Sequence, residues 1–113
     1  MRSGRMEINV LYSKLIDWAK DHNVVEECKN RFWRCYDNYE KEDLEEFCQS
    51  FTSSKSDVEL KLHRISHDFY SLDNENQKVA IIMNIFVKDR YVGYYKELYL
   101  LTGEFFDEYF VIE

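Results

Sequence analysis

Proline is absent from the 113 residues, and glycine occurs only at Gly4, Gly93 and Gly103. Neither the P-loop nor the dinucleotide-binding fingerprint can be written with three such scattered glycines, so glycine-rich phosphate cradles are excluded. No apolar run approaches about 18 residues, so no membrane-spanning helix is expected. Basic charge is also scarce, with 15 Lys and Arg against 22 Asp and Glu for a net charge of −7. Counterion release on a phosphate backbone needs the opposite sign, so no nucleic-acid partner is expected. Cysteine is limited to Cys28, Cys35 and Cys48, with no C-x-x-C pair. That spacing removes zinc knuckles and dithiol redox sites, and it reads as three small core residues in a reducing cytoplasm.

What is present is apolar and aromatic. A 45% hydrophobic fraction argues for a folded domain, and the length allows one modest core. Nine Tyr, eight Phe and two Trp exceed what a small core easily hides, so some rings are expected at a partner surface. Met1–Arg5 reads as a vector-derived leader ahead of a natural start at Met6, leaving 6–113 as a single domain.

Helical periodicity dominates the first half. Ile8, Leu11, Tyr12, Leu15, Ile16, Trp18 and Ala19 share one side of a helix. Asn23 is placed to cap a second helix, with Glu26 at the capping-box position. Val24, Val25, Cys28, Phe32, Cys35, Tyr36 and Tyr39 line its apolar stripe, and Trp33 points away. A change of phase near Asn38 predicts a break before Leu44, Phe47, Cys48 and Phe51 begin a new stripe. Thr52–Ser56 is the clearest linker. Ser56 and Glu59 then fit a capping box, and Val58, Leu62, Ile65, Phe69 and Leu72 recur as a narrow helical seam. A strand beginning Val58, Leu60, Leu62 is the rival, but its alternation fails at Arg64 and Ser66, so a helix is predicted over 58–72.

The period changes to two after Gln77. Lys78–Val87 is apolar on both faces, as in strands covered on both sides. Lys88–Arg90 supplies a turn, Tyr91–Leu101 a second strand, Thr102-Gly103 a tight turn, and Phe105–Ile112 a third strand. The architecture is therefore α+β: three to four N-terminal helices packed on a C-terminal antiparallel meander of three to four strands. In a three-stranded meander Lys78–Val87 would be an edge. Its free side needs a helix, an added strand from 57–62, or a second subunit, which opens a homodimer through this strand.

Motifs for catalysis are thin. His63 and His67 at i, i+4 would share a helix face at metal-ligand spacing, but Arg64 stands where a metalloprotease carries Glu. They are weak metal candidates, and a solvated helix face is preferred; no cofactor is expected. Ser66-His67-Asp68 cannot form a triad on a helix, because neighbouring side chains diverge by about 100°. The cysteines lie on apolar stripes, where desolvation disfavours the thiolate. Glu97, Glu104, Asp107, Glu108 and Glu113 could supply an acid–base pair, yet no spacing singles one out, and an acidic edge that blocks aggregation is the simpler account.

The stronger signal is a sheet face of rings and carboxylates. Tyr91, Tyr95 and Tyr99 alternate down one strand with Glu97 between them, and Asp107 and Tyr109 share a parity on the next. With Trp33 as a second anchor, these residues define an expected partner-binding surface that selects a basic protein; the alternative is that helices cover this face and its rings are core. The expectation is a non-catalytic, cytoplasmic, inhibitor or immunity-type protein that neutralises a basic effector or toxin by occlusion. The alternatives are a small ligand-binding or hydrolytic domain with a Tyr/carboxylate-lined pocket, of nuclear-transport-factor-like architecture, or a homodimeric adaptor.

Overall fold

A computed structural model describes residues 14–69 and 77–113. The proposed leader at 1–5 and the first turns of the N-terminal helix, Ile8 to Tyr12, lie outside the described residues. So does Leu72, the last position of the expected 58–72 seam.

Helix α1 covers 14–21, α2 runs Val24–Glu42 and α3 runs Leu44–Ser50. A 3-10 turn at Lys55–Asp57 leads into four strands: β1 Val58–Phe69, β2 Gln77–Val87, β3 Arg90–Leu100 and β4 Phe105–Ile112. They form one antiparallel meander in the order β1-β2-β3-β4. The α+β class, helices first and sheet second, is as the sequence predicts. None of the helices among the described residues is long and apolar enough to cross a membrane.

The helices cover one face of the sheet. Val24, Cys28, Phe32 and Tyr36 recur every four residues along α2 and are buried against Ile81, Met83 and Ile85 of β2 and Tyr95 and Tyr99 of β3. Phe47 of α3 and Phe51 just after it stack on each other at 5.0 Å and meet Tyr36 edge-on, closing the far end of this core. Trp18 of α1 closes the near end, its indole N–H donating to the Leu101 carbonyl at 2.8 Å.

Three local expectations are corrected. Asn23 does not cap α2 with its side chain. It adopts φ 51° and turns the chain between α1 and α2, a left-handed conformation that Asn tolerates. The break expected near Asn38 falls at Asp43, which ends α2 and caps α3 by accepting from the Glu46 amide at 3.2 Å. α2 keeps its length because Tyr36 and Tyr39 pack on Phe47 from the same helix face.

The largest correction is at 58–69, which is a strand. Leu62 faces Met83, but the next ladder pair is Arg64 with Ile82, so His63 forms a bulge. The bulge shifts the alternation by one residue. Val58, Leu60 and Leu62 before it and Ile65 after it all oppose inward-facing β2 residues. This strand also covers the side of β2 that needed covering. β2 therefore has a neighbouring strand on each edge.

A second bulge sits in β3, between the pairs Ile85–Gly93 and Phe86–Tyr91. It swaps the two faces at the strand start: Val92 joins the core, while Tyr91 turns outward against Phe86. Gly93 is required there, because a Cβ would meet the Val111 carbonyl oxygen at 2.0 Å.

Candidate functional site

The residues expected to bind a partner separate onto three surfaces. Tyr95, Glu97 and Tyr99 face the helices and are fully buried. Placing them at an exposed face is therefore incorrect: α2 lies over that side of β3, and the rings are core. Trp33 is half-buried, edge-on to Phe32 at 4.9 Å and Tyr36 at 5.3 Å, and the Lys55 ammonium sits 5.2 Å from its ring. It extends the core and is no free anchor. Tyr91, Asp107 and Tyr109 are exposed, on or beside the side of the sheet away from the helices.

Buried Glu97 is held by its neighbours. Tyr95 and Tyr99 donate their hydroxyls to its two oxygens at 2.7 and 2.5 Å, and Arg31 of α2 reaches it at 3.3 Å. These partners satisfy a group whose unpaired burial would be costly. Tyr95 is also 2.5 Å from the Glu108 carboxyl, which in turn lies 3.6 Å from the Cys35 thiol. A polar chain thus runs from the interior to β4. Burial, reinforced by these carboxylates, pushes the Tyr95 and Tyr99 phenols well above their ordinary range. It also raises Cys28, and it takes Cys35 up to about 11. Both sulfurs are thereby kept as thiols, a poor state for a nucleophile.

The open face of the sheet is roofed by its own cations. Lys61 lies 5.0 Å from the Phe86 ring, Lys78 is 4.6 Å from Phe106, and Lys96 is 5.9 Å from Tyr109. Ala80, Ile82 and Leu98 are also buried, on a face that no helix covers among the described residues. The carboxylate-rich Tyr surface expected from the sequence is thus divided. Glu97 and two tyrosines are inside, while Asp107 stays outside with Tyr91, Tyr109 and the lysines.

His63 and His67 share no helix face. His63 occupies the β1 bulge, and His67 lies opposite Val79 with Nε2 2.9 Å from the Gln77 side chain. Among the described residues no group of three or more His, Cys, Asp or Glu is placed to hold a metal ion.

Sequence reasoning passed over one surface. A groove of about 470 Å³ lies between the helices and β4, lined by Cys35, Asn38, Tyr39 and Glu42 of α2, Glu46 of α3, and Phe110 and Ile112 of β4. Its apolar part is continuous with the core, since Phe110 stacks on Phe32 at 5.5 Å and meets Tyr39 edge-on at 5.8 Å. Its rim is anionic. Burial and the adjacent Glu46 carboxylate raise the Tyr39 phenol. Around the α2–α3 junction Glu40, Glu42, Asp43, Glu45 and Glu46 are all exposed, with Leu44 59% exposed among them. The acidic run is visible in the sequence; its position beside Phe110 and Ile112, more than sixty residues away, is not.

No protein-family model matches this chain, and neither a curated protein sequence nor a solved structure does.

Proposed function

We propose that this α+β domain is a non-catalytic, acidic protein-binding module. In particular, it acts as an inhibitor or immunity-type protein of the cytoplasm, covering a basic region of an effector or toxin. The observation that carries this reading is the groove between α2, α3 and β4, with an apolar floor at Tyr39, Phe110 and Ile112 and carboxylates at Glu42 and Glu46. Such a surface attracts cationic side chains at long range and buries their apolar neighbours on contact. Three free cysteines, Cys28, Cys35 and Cys48, suit a reducing compartment. The rival pocket reading is less well supported, because Glu97 is fully engaged by Tyr95, Tyr99 and Arg31.

A peptide array sampling acidic, neutral and basic heptapeptides tests the reading. Basic peptides with interspersed apolar residues are expected to bind. Their affinity should fall as ionic strength rises from about 0.01 to about 0.15 M. The double substitution Glu42→Lys, Glu46→Lys should weaken binding by about tenfold or more, a loss of roughly 1.4 kcal/mol. Selection of acidic or neutral peptides instead, or binding insensitive to salt, overturns it.

A further inference from the structure

The groove is bordered by a strand whose outer backbone edge pairs with no other strand among the described residues. β4 is the last strand of the sheet among the described residues. At one end of the β3–β4 ladder the Glu113 amide donates to the Val92 carbonyl at 2.9 Å, and at the other the Leu100 amide donates to the Glu104 carbonyl at 2.8 Å. Antiparallel pairing alternates, so Val111, Tyr109 and Asp107 direct their backbone groups toward β3, opposite Tyr94, Lys96 and Leu98. The groups of Glu108, Phe110 and Ile112 therefore point away from the sheet. The Glu108 amide is taken by the Asp107 side chain at 2.8 Å, as expected for a group facing outward. What remains is the amides of Phe110 and Ile112, the two residues whose side chains floor the groove.

Two copies of this edge are poorly matched to each other. Residues 104–113 carry Glu104, Asp107, Glu108 and Glu113 and no cation, so self-pairing would set carboxylates against carboxylates. The opposite edge, β1, is blunted by its bulge and by Lys61 and Arg64. The open acidic edge beside an apolar groove is complementary to a strand of the reverse charge.

We infer that an extended segment of the partner, alternating apolar side chains with Lys or Arg, adds to β4 as a fifth strand. Backbone bonds form to Phe110 and Ile112; its cationic side chains fall on the helix side, where they meet Glu42, Glu46 and Glu108, and its apolar side chains fall on the opposite face, beside Tyr109 and Val111. This rests on the groove reading above and specifies the partner's conformation.

The test uses the intact protein and a synthetic peptide alternating Lys and Val, with two N-methylated versions: one methylated at every Lys amide, the other at every Val amide. In an added strand only one of these alternate sets faces β4. One methylated peptide is expected to bind about tenfold or more weaker than the parent, while the other keeps its affinity. Amide exchange at Phe110 and Ile112 should slow by at least about tenfold on addition of the parent, with Tyr109 and Val111 unchanged. Equal affinity of all three peptides, or equal loss in both methylated ones, overturns strand addition and leaves the groove reading in place. Failure of the parent to bind at all removes both.

Discussion

Glu97 is the residue on which the interior depends most. A carboxyl group buried between two phenols and a guanidinium is stabilised by each of the three partners. Glu97→Ala would take the close carboxylate acceptor from Tyr99 and Arg31 and open a cavity, while Tyr95 keeps Glu108 and Arg31 keeps Glu27, so a loss of roughly 3 kcal/mol is expected. Tyr95→Phe removes one donor and leaves Tyr99 and Arg31 in place, so the loss should be about 1–2 kcal/mol. Urea unfolding midpoints would check the pair, and equal effects of the two substitutions would contradict this account. Glu97 itself was legible in the sequence as a carboxyl among tyrosines. Its burial was not, because Tyr95–Glu97–Tyr99 reads the same whether helices or solvent cover that side of a strand.

At the scale of elements, the strands after Gln77 were readable because their alternation is strong, and β1 was not. One inserted residue at His63 changes which parity is apolar, and the shifted pattern happens to satisfy a helical period through Val58, Leu62 and Ile65. The same effect of a bulge exchanged Tyr91 and Val92 at the start of β3. The β2–β3 hairpin carries a different strain. Lys88 and Asp89 both have positive φ, at 49° and 66°, which a two-residue turn of this hand requires and which Lys adopts at a cost. Replacing them by Asn-Gly should stabilise the protein by on the order of 1 kcal/mol. The bond from the residue 88 amide to the Asp57 carbonyl, 3.1 Å long, involves only backbone and would persist. A thermal melt showing no gain or a loss would argue against strain at this turn.

For the molecule as a whole, the buried thiols and phenols set the alkaline limit. Below about pH 9 both the folded and unfolded chains keep these protons, and stability does not depend on them. Above the ordinary thiol and phenol values of 9.0 and 10.0, the unfolded chain releases protons that Cys28, Cys35, Tyr95 and Tyr99 retain in the fold. The unfolded state then binds fewer protons, so stability falls as pH rises. The unfolding temperature should decline progressively from about pH 9 through about 11, where Cys35 itself titrates. A flat profile over that range, measured by calorimetry, would contradict the burial argument.

The sequence by itself determined the class of the fold, the positions of α2 and of three of the four strands, and the acidity of the chain. These follow from periodicity and composition, which are local or summed properties. The tertiary structure alone decided which tyrosines are core, where the carboxylates collect, and that β4 is, among the described residues, an edge strand beside the α2–α3 groove. Each of those depends on which elements become neighbours, and one-residue bulges at His63 and at Val92 redirect side chains without leaving a local signature.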